Sequence, residues 1–270
     1  MTITNLLETE DRTLHLPRLL CLHGGGSNAR IFRAQCRVLR AQLRCHFRLC
    51  FAEAPFPSQP GPDVLSVYGE WGPFRRWLRS GPEHPLIAPE AAVGMIEKSL
   101  HAAMREDDRQ GATGEWVGLL GFSQGAKMCA SLLFRQQVRT EKLGKQGTGS
   151  NFRFAVLLAG RGPLVSLDPD LVMNPALVDA SQIGLANFPD QKCLERREHL
   201  LRLPTIHVHG LQDQGLELHR QFFARYCEGG RGARLVEWDG NHRVPIKTKD
   251  VAAIVQQIFI VAKEKGVLKM

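Results

Sequence analysis

Trp116-Val117-Gly118-Leu119-Leu120-Gly121-Phe122-Ser123-Gln124-Gly125 is the stretch on which the fold turns. Its apolar run is one strand long and closes on two glycines that bracket a serine. The residues that follow, Gly125 to Val138, repeat their apolar positions at helical spacing. A chain that passes from strand to helix within so few residues presses the positions two before and two after the serine together, so both must be very small. The serine then stands at a helix N-terminus, where backbone N–H groups and the dipole favour developing negative charge. An ordinary strand-to-helix turn can also hold a serine. The strand before this one and the helix after it make it a nucleophile elbow.

Outward from the elbow, short apolar runs alternate with helical patterns. Leu16 to Leu22, Phe47 to Ala52, Phe152 to Ala159, Thr205 to His209 and Arg234 to Trp238 read as further strands. Most are nearly continuous in apolar character, as expected of parallel strands covered on both faces. Ile31 to Leu43, Pro89 to Asp107, Leu216 to Cys227 and Val251 to Lys263 read as helices. Such alternation predicts a doubly wound, mostly parallel α/β sheet with helices on both faces. Residues 1–270 are expected to form a single domain of that kind.

Two stretches break the rhythm. Pro55 to Pro89 holds eight of the fifteen prolines together with Phe56, Tyr68, Trp71, Phe74 and Trp77. This composition predicts an ordered lid or pocket wall, with Phe56, Tyr68, Trp71 and Phe74 against substrate. Gly160 to Leu203, with turns and a short polar helix, is expected to complete it. Thr140 to Asn151 reads as a polar surface loop.

Composition narrows the function classes. Seven scattered cysteines form no C-x-x-C pair, so neither a zinc site nor a disulfide frame is signalled, and a reducing compartment is expected. The N-terminal residues lack the pattern of a secretory signal, and no apolar run approaches a membrane span. A cytoplasmic protein that engages no membrane is therefore expected. The net charge is +8, with basic residues spread along the sequence, which predicts no nucleic-acid partner but suits an acidic one.

The remaining motifs supply partners for Ser123. His23-Gly24-Gly25-Gly26-Ser27 follows the first strong strand, and its glycines let backbone N–H groups approach a carbonyl oxygen. Gly25 and Gln124 are the predicted oxyanion donors, with Gly24 and Gly26 as rivals for the first. Asp213 and His242 each follow a strand, on loops where open α/β sheets place their sites. Asp239 is the rival acid. The order Ser123…Asp213…His242 is that of α/β-hydrolases, which predicts this fold and a catalytic triad. His207 and His209 share one strand face without further ligand spacing and read as packed residues, so no metal is expected. His23 reads as a brace for the glycine loop. His84, His101, His199 and His219 read as surface residues.

With LCLHGGGSNARIF, FAEAPFPSQPGP, GLLGFSQGAK, HVHGLQD and GNH in view, the chain resembles the fungal serine hydrolase family, especially members found beside polyketide synthases. The resemblance runs from about Pro17 to about Phe259. It implies the same triad and an acyl substrate of fatty or polyketide kind, with no cofactor. The expected activity is hydrolysis of an acyl thioester carried on an acyl carrier domain. The alternatives are a carboxylesterase of oxygen esters and an acyl-binding protein or synthase scaffold of low turnover. Family members often read D-x-x-V after the acid, whereas this sequence reads Asp213-Gln214-Gly215-Leu216.

Overall fold

A computed structural model describes residues 12–171, 174–183, 197–228 and 232–269. Its centre is a six-stranded sheet built from β1 (Arg18–Leu22), β2 (Arg48–Ala52), β5 (Trp116–Phe122), β6 (Phe154–Leu158), β9 (Thr205–Gly210) and β10 (Ala233–Trp238). The spatial order is β10-β9-β6-β5-β1-β2, and every pairing is parallel. Two short pairs lie apart from it: β3 (Phe56–Pro57) with β4 (Arg75–Arg76), and β7 (Val165–Ser166) with β8 (Val178–Asp179).

The alternation of side chains along each strand divides the core in two. Leu19 and Cys21 of β1 face one apolar cluster, and Leu20 and Leu22 face the other. The first cluster is closed by α1 (Ala29–Gln35), α2 (Arg37–Leu43) and α7 (Thr248–Glu264). The second is closed by α4 (Pro89–Arg109), α5 (Gln124–Leu143) and α6 (Leu216–Tyr226). A further short helix, α3 (Pro62–Tyr68), belongs to the proline-rich stretch. The doubly wound α/β fold is thus present, and its sheet is wholly parallel.

Local chemistry moved several boundaries. The helix expected over Ile31 to Leu43 is two helices joined at Cys36, and Asn28 caps the first by accepting the Ile31 N–H at 2.8 Å. The elbow helix runs on to Leu143 and stops at Gly144, which takes a positive φ of 74°. Thr140 to Leu143 therefore belong to this helix and not to the expected loop. Of the stretch Gly160 to Leu203, where turns and a short polar helix are expected, residues 172–173 and 184–196 lie outside the described residues.

From β1 the chain winds outward to β2 in one direction, and from β5 through β6 and β9 to β10 in the other. The reversal between β1 and β5 leaves a crevice at their C-terminal ends, the place where open α/β sheets bind ligands. The glycine loop follows β1 there, and Ser123 follows β5.

Candidate active site

Ser123 has φ 52° and ψ −115°, a left-handed conformation that costs energy for any residue with a side chain. The turn is held by the Ser123 N–H donating to Leu158 O at 2.8 Å. A Cβ on Gly121 would strike the Gly125 carbonyl, and one on Gly125 would strike the carbonyls of Leu22 and His23. Both bracketing glycines are therefore required by backbone contact.

The elbow presents Ser123 Oγ to His242 Nε2 at 3.0 Å, and His242 Nδ1 lies 2.6 Å from Asp213 Oδ2. Asp213 follows β9 and His242 follows β10, so neighbouring strands deliver the two side chains to one point. The second oxygen of Asp213 accepts the Gly215 N–H at 2.7 Å. Burial would raise the Asp213 carboxyl, but the bonds from His242 and Gly215 outweigh it and hold it at about 2. The carboxylate therefore stays charged at neutral pH, and the histidine nitrogen facing Ser123 is left to accept a proton. A side chain at Gly215 would press on Arg161, whereas the departure from D-x-x-V lies at Leu216 and nothing in the structure explains it. Asp239 is taken up by Gln212 Nε2 at 2.7 Å.

Around the oxyanion position, the Gly26 N–H donates to Arg75 O at 2.9 Å, which removes it from the rival donors. Gly25 is exposed and faces the Gln124 side chain. That side chain is itself bonded: Oε1 accepts Trp77 N–H at 2.7 Å and Leu78 N–H at 3.2 Å, and Nε2 donates to Leu78 O at 3.0 Å. Gln124 thus ties residues 77–78 to the elbow while its backbone begins the helix. His23 is fully buried and accepts the Ala54 N–H at Nε2, and its carbonyl receives Trp77 Nε1, so it braces the loop as expected.

The proline-rich stretch is stitched to the same loop. Gly61 N–H donates to Gly26 O, Arg75 N–H donates to Ser27 O, and Asn28 Nδ2 donates to the carbonyls of Trp71 and Pro73. Trp71 is half-buried, edge-on to Tyr68 and beneath the Arg30 guanidinium, and Phe74 is half-buried beside Gly72. Phe56 differs from its expected place against substrate: it is 3% exposed and belongs to the apolar core, with Arg76 over its ring.

Three buried histidines stand behind Asp213. His207 and His209 are packed strand residues, as expected. His199 and His219 are buried, contrary to the surface expectation: His199 Nε2 donates to the Arg225 carbonyl and its ring lies edge-on to Tyr226, and the His219 ring packs against those of His209 and His242. His219 Nε2 lies 3.8 Å from Asp213 Oδ2, and both its nitrogens lack hydrogen-bond partners. Asp213, His219 and His242 bring three ligand atoms within 4.8 Å of one another, but His242 and Asp213 are already bonded within the serine series. Lys127, one helical turn after Ser123, is also buried and has no partner for its Nζ; burial lowers it to about 8. Sequence spacing carried no signal for Lys127 or His219.

Among the described residues, no helix is long and apolar enough to cross a membrane. The described cysteines are free thiols, and all but Cys45 are buried.

Comparison with known proteins places this geometry in a family. The family described as Serine hydrolase (FSH1) matches residues 13–254. Esterase pigG of Monascus ruber is 64% identical over 265 residues, spanning 97% of each chain. Probable esterase tazC of Aspergillus terreus is 62% identical over 259 residues, 96% of this chain and 97% of its own. Esterase citA of Monascus ruber is 58% identical over 266 residues, 98% of this chain and 99% of its own. Among solved structures, a carboxylesterase from Mesorhizobium loti superposes with a TM-score of 0.50 at 16% identity, over 90% of this chain and 88% of that one, a likeness of fold alone. The chain, a hydrolase of the α/β fold, belongs to the FSH1 serine hydrolase family.

Proposed function

We propose that the protein hydrolyses acyl thioesters, releasing a fatty or polyketide chain from a carrier domain in secondary-metabolite biosynthesis. The observation that carries the hydrolytic chemistry is the series Ser123 Oγ–His242 Nε2–His242 Nδ1–Asp213 Oδ2, at 3.0 and 2.6 Å. The acyl class is supported by the resemblance of the HGGGSN and GFSQGAK segments to family members beside polyketide synthases.

In this reading Ser123 Oγ attacks the acyl carbonyl carbon while His242 Nε2 takes the hydroxyl proton. Asp213 holds the imidazole tautomer and balances its positive charge. The tetrahedral oxyanion is met by the N–H groups of Gln124 and Gly25, each donor stabilising it by about 3–4 kcal/mol. The carbon–sulfur bond breaks, and His242 returns the proton to the departing thiolate. Water, deprotonated by the same nitrogen, then attacks the acyl-serine and frees the acid. Tyr68, Trp71 and Phe74 flank the acyl group in the wall tied to Asn28.

A second reading is favoured by the relatives' names: an esterase acting on oxygen esters with the same residues. Matched thioester and oxygen ester of one acyl chain, assayed with wild type and Ser123→Ala, separate the two. The thioester reading expects the higher kcat/KM on the thioester, and preference for the oxygen ester would overturn it. Activity undiminished in Ser123→Ala would remove both.

A further inference from the structure

Residues 12–52 contain eight arginines and no lysine, aspartate or glutamate. That stretch equals the whole +8 of the chain, and the remaining residues carry as many acids as bases. The fold concentrates the charge further. Seven of the eight, all but Arg18, line one cleft of about 870 Å³ that runs along the edge strand β2 between α1–α2 and α4. Basic residues that look dispersed in sequence thus converge in space.

Among the described residues that line the cleft, the acids are Glu106 and Asp107, and Asp107 is already bound by Arg18 and Arg48. Arg30, Arg37 and Arg44 are exposed. The floor is apolar, with Leu49 and Phe51 of β2 half-buried. One end of the cleft reaches Ala29 and Arg30, the first residues of α1, directly after the glycine loop that faces Ser123. The cleft therefore starts at the residues that follow the glycine loop in sequence.

We propose that this arginine cleft is the docking face for the acidic surface of the acyl carrier domain that presents the thioester. The inference rests on the carrier-thioester reading above and adds the place where the partner binds. Charge complementarity of this kind steers encounter and sets register, and so acts on carrier-bound substrate while leaving small substrates unaffected. An apolar floor beneath the arginines suits protein side chains. The competing use of the same residues is protection of an edge strand from self-pairing, which requires charge but no partner.

The test uses Arg37→Glu/Arg44→Glu and the charge-keeping Arg37→Lys/Arg44→Lys, two exposed positions outside the reacting groups. Each is assayed on one acyl group carried by an acyl carrier domain and by N-acetylcysteamine, and binding of the unloaded carrier is followed by fluorescence anisotropy. The expected result is a roughly tenfold rise in KM and a matching loss of binding for the glutamate pair on the carrier only. The lysine pair should stay near wild type, and wild-type binding should weaken as salt rises. Unchanged carrier turnover and binding in the glutamate pair would overturn the docking face, as would equal loss on both substrates. Tighter binding of a single-stranded oligonucleotide than of the carrier at this face would overturn it too. Wild type that cleaves the N-acetylcysteamine thioester but never the carrier-bound one would instead defeat the carrier reading itself.

Discussion

Asp213 stands between two imidazoles that the fold treats in opposite ways. On one side His242 is partly open, bonded to the carboxylate at 2.6 Å and to Ser123 Oγ at 3.0 Å. On the other, His219 lies 3.8 Å away, wholly buried and without a partner for either nitrogen. Burial pushes His219 down to about 3 despite the nearby carboxylate. It is therefore neutral at pH 7 and does not compete for the charge that Asp213 holds for His242. Solvent access and bonding, beyond proximity to an acid, decide which histidine can serve as base.

The partnered side should show the largest effects. Ser123→Ala is expected to lower kcat by about 10⁶-fold, with Asp213→Asn lower by about 10⁴-fold. Ser123→Ala combined with His242→Ala should be hardly worse than Ser123→Ala alone, because the groups act as a unit. Steady-state kinetics on a short activated ester measure all of these. Additive losses would break the contrast by showing that the histidine acts independently of the serine.

The elbow itself should fail next. Gly125→Ala places a methyl group against the carbonyls of Leu22 and His23, and a loss of more than about 3 kcal/mol is expected in denaturant titration. A stable, active Gly125→Ala protein would contradict the elbow packing.

The unpartnered side should respond in stability and with a set sign. Lys127 is lowered by burial from 10.5 to about 8. Its folded-state value is depressed, so the cost is absent above pH 10.5 and complete below pH 8. Lys127→Met should then gain about 3 kcal/mol at pH 7 and almost nothing at pH 11. Equal gain at both values would show that the ammonium has a partner.

Burial likewise lowers His207 to about 3, His209 to about 4 and His219 to about 3, from 6.5. The stability they allow is full above pH 6.5 and is lost as pH falls toward 3–4. Each should contribute about 2 kcal/mol of loss by pH 5. His219→Phe should flatten the acid limb of the stability curve, as read from denaturant midpoints across pH. An unchanged limb would show that His219 is solvated.

What the sequence disclosed divides along the same line. The elbow, the strands and the series Ser123, Asp213 and His242 were legible because local contact requires them: small residues at Gly121 and Gly125, apolar runs for buried strands, and loops at strand ends. His219 and Phe56 were misplaced because their burial depends on elements distant in sequence. The charge excess of residues 12–52 is present in the sequence, but the meeting of its arginines on one cleft arises from α1 and α2 lying beside β2. Gly26 could be set aside as an oxyanion donor only once its bond to Arg75 was visible.

The central claim is that Ser123 is a nucleophile activated by His242 and held in place through Asp213. Labelling with a fluorophosphonate, followed by intact mass and tandem mass spectrometry, tests it most directly. The account predicts a single adduct on Ser123 in wild type, much slower labelling in His242→Ala, and none in Ser123→Ala. An adduct on any other residue, or labelling of Ser123 at an undiminished rate without His242, would contradict it.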